Sequence, residues 1–289
     1  MSALSKEHPQ HHSGGLAGEN IDQVERALVD ASARTPVLFF YSSALFWLLV
    51  QTVLGFIVNL KIQWPSFLGD CAWLTYGRIV PVQKDLALYG WASLAGIGTA
   101  IWILARLCRV LLPRPGSLVA AGMLWNVALV TGAIAVLAGN GRGLEYLDFP
   151  RYVFGMLFVA YAVIAVWGIV LFVNRRPGHV FISAWYLVGA LFWFPWLIGG
   201  INLLVGTGNG MAEAVAASWF AQNILSLWLG ALGLGAIYYL IPKVVGRPIH
   251  SYHLASIGFW TFAVFAVWGG VQRLTGAPVP AWMITVSIV

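Results

Sequence analysis

Imidazole, thiolate and thioether side chains hold metals and haem iron, and this chain places them sparsely. It has six histidines. His8, His11 and His12 stand in a polar amino-terminal stretch, where a flexible segment preorganises no metal site. His179, His250 and His253 lie in or beside short basic connections, which suits interfacial side chains rather than axial ligands in mid-membrane. Met123 and Met156 sit inside apolar runs at positions that read as helix packing. Cys71 and Cys108 form no CxxC pair and fall in segments assigned to opposite sides of a membrane, so no disulfide framework is expected. Lys84 and Asp85 are adjacent where an apolar run begins, and charges at that depth pair, snorkel or meet a partner. One of them is expected to contact a polar outer loop or a neighbouring subunit, in preference to serving a proton route.

The elements that would position such residues are membrane spans. Of 289 residues, 60% are apolar and 9% charged, where a soluble domain carries roughly a quarter of its residues charged. Fifteen Trp and this apolarity exclude disordered, collagen-like and disulfide-scaffold chains, and a net charge of +6 is too thinly spread for nucleic-acid binding. A bilayer core about 30 Å thick takes about 20 apolar residues in a helix. Stretches near 37–59, 86–105, 115–138, 152–173, 180–206, 214–241 and 254–272 meet that length. The fold class is therefore an all-α polytopic membrane bundle of about seven transmembrane helices. Ala281 to Val289 starts an eighth apolar helix too short to cross, either a docked stub or the beginning of a segment that continues.

Connections 106–114, 174–180 and 242–253 carry Arg106, Arg109, Arg114, Arg175, Arg176, Lys243 and Arg247 and no acid. The opposite connections are longer and contain Asp70, Asp85, Glu145, Asp148 and Glu213. The positive-inside rule puts the amino terminus and the basic loops in the cytoplasm, with loop 60–85 outward. Residues 1–36 read as a polar cytoplasmic tail in front of a transmembrane domain at 37–289. Within the tail, Asn20 could cap a short amphipathic helix with Ile21, Val24 and Leu28 on one face.

Aromatic residues gather at span ends, with Trp64, Trp73 and Tyr76 outside and Tyr238, Tyr239 and Tyr252 inside, as interfacial belts do. Trp193, Phe194 and Trp196 flank Pro195 in mid-span, where a lost helix hydrogen bond bends the rod. The reading favoured there is bulky helix packing over the border of a cofactor or channel. Gly230, Gly233 and Gly235, and Gly199, Gly200 and Gly206, would let neighbouring helices approach.

Two blocks carry a family resemblance. SSALFWLLVQTVLGFIVNLKIQWP at 42–65 with LTYGRIVPVQKDLALYGW at 74–91, and SWFAQNILSLWLGALGLGAIYYLIPKVVGRPIHSYHLASIGFW at 218–260, resemble the amino-terminal half of subunit I of cbb3-type cytochrome oxidases, the C family of haem-copper oxygen reductases. The resemblance covers roughly residues 40–285 and is thin between 115 and 210. It implies a subunit I-like bundle. It also implies ligand positions, and here the pattern departs. The axial histidine of the low-spin haem, two residues after a proline, corresponds to Gln83 in Pro81-Val82-Gln83. The copper histidine before an asparagine corresponds to Gln222 in Ala221-Gln222-Asn223, the adjacent pair of copper histidines to Gln272 and Arg273, and the active-site tyrosine to Ala266.

Haem iron needs an imidazole, thiolate or thioether, copper favours imidazole over amide oxygen, and an arginine beside a cation repels it. No haem or copper is expected in this chain, haem being left to partner subunits. Arg273 is expected to hold a salt bridge or a backbone carbonyl in place of copper. The resemblance then implies a non-catalytic subunit of the bacterial-type inner membrane. It would scaffold a respiratory complex beside a membrane-anchored c-type cytochrome and other subunits, with quinone as a further possible partner. The rival is half of a split, active oxygen or nitric oxide reductase completed by another chain. A transporter is disfavoured by the lack of an inverted repeat and of charges lining one face.

Overall fold

The structure, a computed structural model, describes residues 13–178, 180–206 and 210–288. The expectations for His8, His11, His12 and His179 lie outside the described residues. Every regular element among the described residues is helical. We label the helices α1 Ser13–Gln63, α2 Tyr76–Cys108, α3 Pro115–Ala138, α4 Arg151–Val173, α5 Ile182–Leu204, α6 Gly210–Val245, α7 Tyr252–Phe265 and α8 Ala281–Ile288. Two short 3-10 turns, Ala266–Trp268 and Val271–Leu274, continue α7. Among the described residues, seven helical segments are long and apolar enough to cross a membrane, so this is a multi-pass membrane protein.

Five of the spans predicted from hydropathy fall inside these helices, 180–206 overruns α5 by two residues at each end, 254–272 continues past α7 into the 3-10 turns, and two helices run well beyond their predicted spans. α2 starts at Tyr76 instead of 86 because its first turns are polar in sequence yet packed: Ile79, Val82 and Asp85 are buried. Hydropathy does not register a polar residue that faces protein instead of lipid. α1 has 51 residues. At about 1.5 Å per residue it is about 75 Å long, more than twice the hydrocarbon thickness, so it must project from one face. The boundary expected at 36/37 does not exist as a break: Pro36 lies within α1, and so does Asn20, which therefore does not begin a separate helix.

What holds the projecting part is charge. The fork of Arg106, at the end of α2, grips Asp30, with Nε donating to Oδ1 at 2.7 Å and Nη2 to Oδ2. Arg109 meets Asp22 at 3.0 Å and Arg176, after α4, meets Glu25 at 2.8 Å. Val29 and Ala33 are buried on the same face, while Val24 and Leu28 remain exposed. The arginines that sequence assigned to topology thus also anchor a helix.

α2 is the axle. It packs on α1, α3, α4, α5 and α6. Around it an aromatic core links the helices: Trp125 of α3, Tyr161 of α4, Phe194 of α5 and Trp228 of α6 are all fully buried. Their ring centroids lie 4.4 Å apart for Tyr161 and Phe194 and 4.5 Å apart for Phe194 and Trp228. Each polar handle finds a partner, as buried Trp and Tyr require. Trp228 Nε1 donates to the Tyr161 hydroxyl at 2.9 Å, which donates to Ala190 O at 2.9 Å, and Trp125 Nε1 donates to Tyr89 O at 2.9 Å. The residues around Pro195 therefore act in packing. Of the glycine runs, Gly235 is a close approach, since a Cβ there would lie 2.7 Å from Leu187. Gly90, not singled out by spacing, seats the Trp47 ring against α2, where a Cβ would lie 2.8 Å from the Trp47 Cβ.

Exposed ion pairs contribute little and forked, partly shielded ones more. Arg106→Gln should therefore cost about 1–2 kcal/mol, whereas Arg26→Gln, whose guanidinium is more than half exposed, should change stability by less than about 0.5 kcal/mol. Thermal unfolding of the purified variants checks the ranking, and protease cleavage within 13–36 should rise for Arg106→Gln alone.

Candidate functional site

Two of the positions singled out in sequence stand two or three residues before a widened helical turn. Gln83 precedes the π-helical segment Leu86–Ala92 in α2, and Gln222 precedes Ile224–Leu229 in α6. Such i→i+5 turns are rare and concentrate at functional sites. Sequence spacing gave no sign of them, because hydrophobic periodicity does not resolve one extra residue in a turn.

Gln83 lies against α1. Its Nε2 donates to Gln51 Oε1 at 3.0 Å, and its side chain packs on Gly55. One amide answers the other.

The second set comes together at the end of the bundle that holds loop 139–150. Arg273 Nη2 donates to Gln222 Oε1 at 3.2 Å, and Nη1 meets Glu145 Oε2 at 2.7 Å. The expected salt bridge of Arg273 is present, and its partner is a loop acid instead of a backbone carbonyl. Gln272 turns away and accepts the Gly270 N–H. Ala266 opens the 3-10 turn after α7 and offers no polar atom of its side chain. The structure therefore joins Gln222 to Arg273, sets Gln272 and Ala266 in the same turn region, and leaves Gln83 on a separate helix pair.

The turn is held by groups that sequence reading passed over. Asn223, fully buried, donates from Nδ2 to Trp219 O at 2.8 Å, to Gly269 O at 3.1 Å and to Val267 O at 3.3 Å. Trp219 Nε1 donates to Val267 O at 2.7 Å. Gly270 has φ +124°, and a Cβ there would lie 2.7 Å from both Ser218 O and Trp219 Cα. Only glycine fits that approach. An asparagine next to Gln222 and a Gly-Gly pair before Gln272 were the available signals.

Lys84 and Asp85 part company. Lys84 is exposed, whereas Asp85 has no exposed surface. Neither Asp85 carboxyl oxygen makes a well-formed hydrogen bond, and the group faces the backbone amides of Phe149 and Asp148 in the loop after α3. Asp85, and not Lys84, is the one of the two that faces this loop. Asp148 is itself nearly buried, at 6% exposure. Burial pushes its carboxyl up to about 6, against the opposing pull of the Gly143 amide and of Lys84. Tyr89, also fully buried, closes this corner by donating to Tyr146 O at 2.7 Å.

Chemically, the arrangement offers amides, a guanidinium and a carboxylate that already bind one another. His250 and His253 are exposed beside the basic loop at the opposite end. Among the described residues no group of three or more His, Cys, Asp or Glu could enclose a metal ion.

Two outcomes follow. Gly270→Ala should displace the turn, separate Arg273 from Gln222 and cost about 2 kcal/mol or more, read by thermal unfolding. Asp148 binds its proton more tightly folded than unfolded, where a carboxyl titrates near about 3.9. Its contribution to stability is therefore full below about 4 and is lost as pH rises through about 6. Asp148→Asn should flatten that fall and be the more stable form above pH 6. An unchanged slope between pH 4 and pH 7 would contradict the assignment.

The family model described as Cytochrome C and Quinol oxidase polypeptide I matches residues 35–289. Similar curated proteins include the cytochrome c oxidase subunit 1 homolog, bacteroid, of Bradyrhizobium diazoefficiens, 24% identical over 88% of this chain and 48% of that protein. The cbb3-type cytochrome c oxidase subunit CcoN1 of Stutzerimonas stutzeri is 24% identical over 84% of this chain and 53% of its own length. A nitric oxide reductase subunit of the same organism is 33% identical over 35% of this chain and 18% of its length. The chain spans about half the length of the subunit 1 relatives it matches. It belongs to the cytochrome c and quinol oxidase polypeptide I family, as a multi-pass, subunit I-like membrane protein.

Proposed function

We propose that this chain is a non-catalytic subunit I-like membrane subunit, one that scaffolds a respiratory or electron-transfer complex beside membrane-anchored c-type cytochrome subunits. We place it in the inner membrane with its amino terminus in the cytoplasm, on the strength of the basic connections at that end.

The observation that carries the reading is the closure of the ligand positions on one another. Gln83 is bound to Gln51, Gln222 to Arg273 and Arg273 to Glu145. These residues do not fit haem iron or copper. An amide oxygen is a weak neutral donor beside imidazole. A guanidinium cannot lose its proton to become a ligand, and it repels a metal cation at close range. We derive no redox step in this chain.

What remains for it to do is mechanical. The aromatic core around α2 is rigid and fully packed, and it carries long exposed apolar faces, such as Leu45, Leu49, Val53 and Phe56 on α1. Faces of this kind meet lipid or neighbouring membrane helices. The relatives named as oxidase subunits support assembly with other subunits as the use of those faces. The second reading, half of an active reductase completed by another chain, is favoured by the length ratio and by the 33% identity to a nitric oxide reductase subunit.

Affinity purification of the tagged chain from native membranes separates the two. The scaffold reading expects a stable complex containing a c-type cytochrome, whose haem-stained band is not this chain. A complex that contains instead a second subunit I-like polypeptide and reduces oxygen or nitric oxide, with activity lost on Arg273→Ala, would overturn it.

A further inference from the structure

At the end of the bundle opposite the substituted ligand positions, the projecting part of α1, the end of α2, the start of α5 and the end of α6 line an open cleft with a cavity volume of about 440 Å³. That lies within the usual range of small-molecule sites, about 300–1,000 Å³. Five cations line it, Arg26, Arg106, Arg109, Lys243 and Arg247, and one acid, Glu25. The bookkeeping of partners decides what the cavity would attract.

Asp30 is held by Arg106, Glu25 by Arg176 outside the cavity, and Asp22 is shared by Arg26 and Arg109. Among the described residues, Lys243 and Arg247 form no ion pair within 4.0 Å, although Lys243 is close enough to Asp30 to attract its carboxylate, which Arg106 already holds. Lys243, an exposed residue, donates to the Tyr239 hydroxyl at 2.8 Å and lies over its ring at 4.9 Å, which holds its ammonium at the mouth of the cavity. Six cations thus face three carboxylates in this cluster. The carboxyl ends of α2 and α6 add roughly half a negative charge each, which leaves a clear positive excess. The remaining walls are apolar, through Val29, Leu107 and Ile249, and low-dielectric walls strengthen the field on an anion.

We propose that this cavity is a binding site for a phosphate-bearing anion, with the phosphate held by Lys243 and Arg247 and screened by the tyrosine-lined wall. Arg and Lys in a concave pocket between helix ends are the chemistry that takes phosphate oxygens. Basic pockets between helices at the membrane face take anionic headgroups by the same means. The phosphate could belong to a lipid headgroup or be free in solution, and the test distinguishes these sources.

The full 289-residue chain is reconstituted in phosphatidylcholine nanodiscs with and without one-fifth phosphatidylglycerol. Retained lipid is read by native mass spectrometry and thermal unfolding is measured in parallel, with inorganic pyrophosphate added to the pure phosphatidylcholine sample. The variants are Lys243→Gln with Arg247→Gln, the charge-keeping Lys243→Arg with Arg247→Lys, and Arg175→Gln, a basic residue of the same end outside the cavity.

A lipid site predicts retained phosphatidylglycerol, lost at least tenfold in the neutral double variant and kept in the other two. A site for soluble phosphate predicts instead that pyrophosphate raises the unfolding temperature of the wild type and of the charge-keeping variant but not of the neutral one. The charge-keeping variant separates loss of charge from loss of fold. Binding of neither probe, or equal loss of binding in Arg175→Gln and the neutral double variant, would overturn the proposal.

Discussion

A guanidinium set between an amide and a carboxylate governs what this scaffold can hold. Arg273 bridges Gln222 on α6 and Glu145 in the loop after α3, so one side chain satisfies two partners and its own charge. A metal ion in the same space would have to displace that pairing, shed water and face a fixed positive charge. Each of these steps costs free energy, and among the described residues no group of three or more His, Cys, Asp or Glu is gathered to offset it. The amide pair of Gln83 and Gln51 poses the same obstacle to haem iron between α1 and α2. The Arg273 contacts are partly exposed and the amide pair is half-buried, so each adds modestly to stability and acts chiefly by occupying its position.

The rest of the molecule makes these positions rigid. The turn bearing Arg273 is pinned by Asn223 and Trp219 and by the close approach that Gly270 permits. The helices bearing Gln83 and Gln222 meet around an aromatic core whose hydrogen bonds close from Trp228 through Tyr161 to the α5 backbone. At the far end, three acids of α1 meet three arginines, Arg106 in the last turn of α2 and Arg109 and Arg176 just beyond α2 and α4, which converts a topology signal into an anchor. The two π-helical segments still mark the places where α2 and α6 carry Gln83 and Gln222.

Much of this was legible in the sequence, for identifiable reasons. Hydropathy found the spans because lipid rewards apolar side chains over a fixed length, and α3 matches its expected limits at both ends. It missed the first turns of α2, where Asp85 is buried by protein and not by lipid. It also divided α1 at a proline that the helix accommodates, because the ion pairs holding the projecting part join residues about 80 to 150 positions apart, beyond any local pattern. The need for a partner to Arg273 followed from its depth. The identity of that partner did not, since Glu145 lies 128 residues away and only the folded turn brings them together. The roles of Asn223 and Gly270 were open to inspection as an asparagine and a Gly-Gly step but carry no meaning until the backbone they approach is known.

The central claim concerns what this chain binds through its own residues, and quantifying porphyrin and copper per mole of purified chain tests it most directly. The account predicts far less than one equivalent of either, with any haem spectrum following the cytochrome partners when these are removed. One equivalent of b-type haem or of copper that stays with the isolated chain would contradict it.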